Sequence, residues 1–252
     1  MSGHSKWAQI KRKKAVTDAK RGAVFSKIAK EIMVAAKLGG GDPNINFRLR
    51  FAIDKAKANL VPQNNIQRAI EKGSGHGAEG SNIEEIIYEG YGPGGAAILI
   101  LCTTDNRNRT VSDLRSYFTK YHGKMAEAGA VGWMFTKRGE IKISKSSFKN
   151  QDEAYELAVE AGAEDIDFSD EEYDVIITKP DELEKVQKNI IAKGIKPAET
   201  QISYHPKEHI EINEAEAAKN LVKLLEMIED HDDVQNVYSN FDFKEEVLNA
   251  IS

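Results

Sequence analysis

The chain has 252 residues, of which 35 are Lys or Arg and 40 are Asp or Glu, for a formal net charge of −5. Its one cysteine, Cys102, excludes an internal disulfide and a cysteine-rich zinc site, and no apolar run approaches the roughly 18 residues of a membrane helix. Hydrophobic residues at 40% and charged residues at 30% exclude a wholly disordered chain.

The average charge hides a division. Residues 1–80 hold 16 Lys+Arg against 6 Asp+Glu, whereas residues 81–252 hold 19 against 34. A net +10 beside a net −15 points to a polyanion as the partner of the basic part. The opening Met1-Ser2-Gly3-His4-Ser5-Lys6-Trp7 lacks the apolar stretch of a signal peptide, so a cytoplasmic location is expected.

From Gly3 to Arg21 the sequence is polar and basic, with Lys6, Lys11, Arg12, Lys13, Lys14, Lys20 and Arg21 against Asp18 alone. So few apolar residues predict a mobile arm. A helix is predicted from Asp18 to Lys37. Val24, Phe25, Ile28, Ile32, Ala35 and Ala36 recur at three- and four-residue spacing, with Lys20, Lys27, Lys30 and Lys37 opposite. Gly39-Gly40-Gly41 stops it. A second helix, Asn46 to Asn59, pairs Phe47 with Phe51 and extends its buried face through Ala52, Ala56 and Leu60. Pro62 ends that helix and opens a third, which carries Ile66, Ala69 and Ile70 and closes at Gly73. Three short amphipathic helices predict a small bundle.

Residues 74–82 read as a linker. Strands are predicted at Ile83–Glu89 and Ala96–Thr104, then a helix at Thr110–His122 and strands at Ala130–Thr136 and Glu140–Ser144. A helix at Asp152–Ala161, a strand ending near Phe168, a strand at Tyr173–Thr178, a helix at Asp181–Ala192 and a strand at Ala198–Tyr204 follow. A strand at His209–Ile212, a helix at Glu214–Glu229 and a strand at Gln235–Phe241 finish the chain. This order predicts a multidomain α+β fold: a three-helix bundle, then two ferredoxin-like βαββαβ domains, one inserted in the other. The corresponding segments are 1–80 (basic arm and helical domain), 81–138 with 206–252, and 139–205 (acidic).

Several motifs read as structure. Gly90-Tyr91-Gly92-Pro93-Gly94-Gly95 matches G-x-G-x-x-G, but a strand follows it where a dinucleotide site needs a helix, so a hairpin loop is expected. Cys102, inside an apolar run, reads as a buried thiol. His205 and His209 are separated by Pro206 and read as surface residues. The acidic cluster Asp165 to Asp174 lacks the glycine of a calcium loop and reads as a solvated face.

Other motifs read as binding chemistry. In Thr104-Asp105-Asn106-Arg107-Asn108-Arg109-Thr110, Thr110 and Asp113 form a capping-box pattern. Arg107 and Arg109, just before that helix, make either a phosphate clamp or part of a polar loop. The basic arm and bundle suit salt-dependent phosphate contact. Trp7 either stacks on a base or plugs into the bundle. Asn64, Asn65, Gln67 and Arg68 open the third helix. They are residue types that read base edges, and the amides are also ordinary caps.

Many of these stretches together resemble the YebC/PmpR family. They are Gly3 to Lys14, Gly39-Gly40-Gly41-Asp42-Pro43, Asn64 to Gly75, Gly90 to Gly95, Thr104 to Thr110, and Asp232-Asp233-Val234-Gln235-Asn236-Val237-Tyr238-Ser239-Asn240. The resemblance covers essentially the whole chain. It implies an N-terminal helical domain followed by two α+β domains, and no enzyme activity. Bacterial members are labelled DNA-binding transcriptional regulators. A mitochondrial relative is a translational activator, and bacterial members are also linked to ribosomes stalled at proline-rich stretches. Duplex DNA and ribosomal RNA, on the ribosome, are therefore both expected partners. No cofactor, metal, membrane or small-molecule substrate is expected.

Overall fold

In a computed structural model, residues 19–75, 82–244 and 246–247 are described. Residues 1–18, which hold most of the expected arm, residues 76–81 of the expected linker, and the chain end lie outside these; residues 19–21 of the expected arm are helical in backbone. Helix α1 (Ala19–Gly39) buries Ile28, Ile32, Ala35 and Ala36. The predicted stripe therefore faces the core, although Val24 at its start is exposed. Helices α2 (Phe47–Ala58) and α3 (Gln63–Gly73) pack against α1 around Leu49, Ala52, Ala56 and Ile66.

One buried amide joins α1 to α2. The Oδ1 of Asn46 accepts from the Leu49 N–H at 3.0 Å and caps α2, while its Nδ2 donates to the carbonyls of Ala35 and Gly40, each at 2.8 Å. Gly73 must be glycine, because a Cβ there would lie 2.3 Å from the Met33 carbonyl oxygen. The expected burial of Leu60 is wrong. Leu60 has a left-handed φ of 59° and is 84% exposed. The chain turns there, and Val61 fills the core instead.

The next elements are β1 (Glu84–Tyr91), β2 (Ala97–Thr104), α4 (Arg107–Lys120) and β3 (Lys124–Ala126). The glycine loop is a hairpin turn, with residue pairing running from Tyr91↔Ala97 to Glu84↔Thr104. Gly94, at φ 73°, packs so closely on Ile212 that a Cβ would lie 2.4 Å from its Cδ1. The chain later returns as β8 (Ile210–Ile212), α7 (Ala215–Asp230), β9 (Val234–Ser239) and β10 (Phe241–Phe243). Strand order β3-β1-β2-β9 makes a fully antiparallel sheet, while β8 and β10 pair in parallel. Ile98, Ile100, Leu114, Phe118, Leu221 and Leu224 form the core between this sheet and α4 and α7.

A buried carboxylate shapes the loop after β3. Glu89 accepts from the N–H groups of Gly129, Val131 and Gly132 at 2.8, 2.6 and 2.8 Å. That clamp holds up Trp133, which is 64% exposed and donates its indole N–H to Ala130.

Phe135–His205 form a second compact unit. It contains β4 (Phe135–Ser144), α5 (Gln151–Ala161), β5 (Asp165–Asp167), β6 (Tyr173–Thr178), α6 (Leu183–Ala192) and β7 (Glu199–Pro206). Its βαββαβ order and sheet order β5-β6-β4-β7 are ferredoxin-like. The α+β class thus holds in both sheets. Connectivity differs in the first, where a hairpin leads (ββαβ…αβ).

Two further differences are local. The strands predicted at 130–136 and 140–144 are one strand, β4, preceded by a 3-10 turn at Gly132–Met134. Gly139 looks like a break but pairs with Thr178, where a Cβ would lie 2.3 Å from the threonine oxygen. His205, expected on the surface, is half-buried and hydrogen-bonded to the buried carboxylate of Glu140.

By its contacts the helical segment groups with the first sheet in one compact unit. Polar ties make the connection. Lys37 Nζ donates to the Ile83 carbonyl at 2.8 Å, and Arg48 pairs with Glu85.

Candidate nucleic-acid interface

The residues predicted to meet phosphate fall into three groups. Lys6, Trp7, Lys11, Arg12, Lys13 and Lys14 lie outside the described residues. Lys20 and Arg21 lie on the first turn of α1 by backbone, and their side chains are outside the described part. The remainder divide between an internal ion cluster and an exposed helix face.

Asp233 is the centre of the cluster. Its side chain is 1% exposed, just ahead of β9. Lys30 Nζ lies 2.6 Å from Oδ1, and Arg109 Nη2 lies 2.9 Å from Oδ2. The hydroxyls of Thr110 and Thr104 donate to Oδ2 at 2.8 and 3.1 Å. Burial pushes this carboxyl up, but the bonds from Lys30, Arg109 and Thr110 outweigh it and hold it well below the usual carboxylate range. Lys27 sits beside it, donating to the Glu229 carbonyl.

This geometry bears on three expectations. Arg109, open between a phosphate clamp and a polar loop in sequence, has its guanidinium held by Asp233 and Asp105. Lys30 turns into the same carboxylate and not toward a ligand. The capping box at Thr110 is not formed. Asn106 caps α4 by accepting the Arg109 N–H at 3.1 Å, so Arg107 and Arg109 lie within the first turn. Arg107 stays 64% exposed, 3.6 Å from Glu84. No local pattern exposes this cluster, because Asp233 lies 124 residues from Arg109.

The exposed face belongs to α3. Asn64, Asn65, Gln67 and Arg68 are all exposed, as is Lys72 one turn further on. Spacing explains this: Ile66 and Ala69 point to the core, so the residues between them face water. The first turn has no acidic residue, and no side chain caps it. Gln67 donates to Glu71 at 2.9 Å. Arg68 and Lys72 have no ion-pair partner among the described residues. From Asn64 to Lys72 the helix thus presents exposed amides and cations without a described ion-pair partner along about 12 Å of its length.

Other candidate chemistry is muted. Burial pushes the Cys102 thiol up to about 12, which leaves it protonated and unreactive. Among the described residues, no group of three or more His, Cys, Asp or Glu is placed to hold a metal ion. None of the described helices is long and apolar enough to cross a membrane.

Two family descriptions account for nearly the whole chain. "TACO1/YebC protein N-terminal domain" matches residues 5–76, and "TACO1/YebC second and third domain" matches residues 83–241. The chain belongs to the TACO1/YebC family. Among TACO1/YebC relatives, a "probable transcriptional regulatory protein" of Desulfotalea psychrophila is 52% identical over all 252 residues, covering 100% of both chains. One of the same description from Desulfitobacterium hafniense is 51% identical over 248 residues, 98% of each chain. A crystal structure of a conserved hypothetical protein from Aquifex aeolicus has the same fold. It has a TM-score of 0.87 and 46% identity, covering 97% of this chain and 99% of the other.

Proposed function

We propose that this chain is a non-catalytic regulator of gene expression that binds nucleic acid through its helical segment. The observation that carries the reading is the α3 face, where Arg68 and Lys72 have no ion-pair partner among the described residues and stand beside exposed amides. The cations of Lys30 and Arg109, in contrast, are spent on Asp233. The names of the relatives support regulation, and those names speak of transcription.

Two targets fit. Duplex DNA follows from the transcriptional names, with α3 in a major groove. RNA, on the ribosome or elsewhere, follows from the sequence resemblance and from an apolar groove beside the cations of α3. We take RNA as the physiological target, because the faces of duplex bases are stacked and cannot enter such a groove.

Titration of the full chain with RNA and with duplex DNA over a range of salt tests the reading. Salt-dependent RNA binding that weakens in Arg68→Gln/Lys72→Gln is the expected result. Salt-independent binding, or binding that the double substitution leaves unchanged, contradicts it.

A further inference from the structure

We propose that the groove between α1 and α3 seats one unstacked base of a single-stranded RNA, with Arg68 and Lys72 holding its flanking phosphates. The proposal rests on nucleic-acid binding by the helical segment and names the form of the target: a loop, bulge or end in place of a duplex.

The groove has a volume of about 320 Å³. It exists because small residues face each other, Ala29 on α1 and Ala69 on α3. Larger side chains at its edges leave that middle unfilled. Phe25 and Met33, one turn to either side of Ala29, form an apolar wall, and Val61 extends it. An aromatic ring and a polarisable thioether are side chains that pack well on the flat face of a base. Phe25 and Met33 are half-buried, so the wall is anchored in the bundle core and yet accessible.

The rim supplies the complementary polarity. Asn65, Arg68 and Lys72 follow one another along α3 at spacings of three and four and line the same opening. Asn65 carries both a donor and an acceptor for a base edge. Arg68 and Lys72 bring two positive charges with no ion-pair partner among the described residues, and no carboxylate lines the groove. A polyanion with an exposed aromatic ring satisfies both halves of this surface. A duplex satisfies only the rim, because its bases expose edges and not faces. An apolar peptide satisfies only the wall.

The test uses the full-length protein and an RNA hairpin with a seven-nucleotide loop carrying one 2-aminopurine. The same sequence as a perfect RNA duplex and as a DNA hairpin are the other two probes. Ala29→Leu fills the groove without touching the rim. Arg68→Gln/Lys72→Gln removes the rim charge without touching the wall. Ala29→Leu is expected to weaken hairpin binding on the order of ten-fold and to leave duplex RNA binding unchanged. The double variant is expected to reduce the slope of log affinity against log salt by about 1.4. Thermal melting confirms that both variants stay folded. If folded Ala29→Leu binds the RNA hairpin as wild type does while the double variant still weakens it, the groove is not the seat, although binding through the α3 cations stands. If the wild type ignores the RNA hairpin, or prefers duplex DNA to it, the seat and the underlying reading both fall. Equal affinity for the DNA hairpin overturns the assignment to RNA.

Discussion

The ammonium of Lys30 lies 2.6 Å from Oδ1 of Asp233, a residue 203 positions further along the chain. Through that contact, and that of Arg109 with the same carboxylate, a position ahead of the last strands fixes α1 and the start of α4 together. A lysine of the basic segment and an arginine beside a helix start invite a phosphate reading, but here they neutralise an internal charge.

Asp233→Asn leaves Lys30 and Arg109 without their anion and puts an amide N–H2 in the place of one of the two acceptor oxygens. Losing charge-assisted hydrogen bonds of this kind costs about 1.5–3 kcal/mol. Urea unfolding of the full chain is expected to show that loss. Lys30→Met, which leaves Arg109 in place, should lose less. A loss under about 1 kcal/mol for Asp233→Asn contradicts the assignment of the cluster as a structural lock.

The Glu140–His205 pair makes the second unit acid-sensitive. Burial pushes the Glu140 carboxyl up, but the hydrogen bond and charge of His205 outweigh it, and the carboxyl is held at about 2. A depressed carboxyl contributes stability that is fully present above its unfolded value, about 4.3. That contribution disappears as pH falls through about 2. At neutral pH it is on the order of 3 kcal/mol. Wild type and Glu140→Gln should therefore differ in unfolding free energy near pH 7 and converge near pH 2. A pH-independent difference contradicts the pairing.

Much of the fold was legible because its periodicities are clean. Ile28, Ile32, Ala35 and Ala36 mark α1, and the nearly all-apolar Ala97–Thr104 marks a strand buried on both faces. The α3 face was legible for the same reason, since Ile66 and Ala69 fix which residues point outward. Long-range chemistry was not legible. Asn106, not Thr110, caps α4, because Thr110 is drawn inward by a carboxylate far along the chain. The strands predicted at 130–136 and 140–144 are one strand, and nothing nearby in sequence shows that Thr178 and Leu183 crowd Gly139 between them. The hairpin at Gly90–Gly95 was legible, but the connectivity of the first sheet was not, because strand order depends on contacts between distant segments.

Glu89 is a further residue that its own neighbourhood does not reveal. Its carboxyl is pushed up by burial and pulled down further by the N–H groups of Gly129, Val131 and Gly132. Hydrogen bonds to a charged acceptor are worth about 1.5–3 kcal/mol. Glu89→Gln is expected to speed amide exchange at those three positions on the order of ten- to a hundred-fold, with exchange in β2 unchanged. Unchanged protection at Gly129, Val131 and Gly132 would show that the loop holds its shape without the carboxylate.

Cys102 offers a direct check on the core of the first sheet. With its thiol pushed up to about 12 and fully buried, it should resist a thiol reagent in the native protein and react only on unfolding. Rapid labelling of the folded chain contradicts the packing of β2 against α4 and α7.

The central claim is that the helical segment meets RNA through α3 and the groove beside it. Crosslinking of the full chain in cells, with sequencing of both recovered RNA and recovered DNA and mapping of the attached peptides, tests it most directly. Crosslinks to unpaired positions in RNA are expected from peptides containing Phe25, Asn65, Arg68 or Lys72. Recovery of duplex promoter DNA in place of RNA, or RNA crosslinks confined to 135–205, would contradict it.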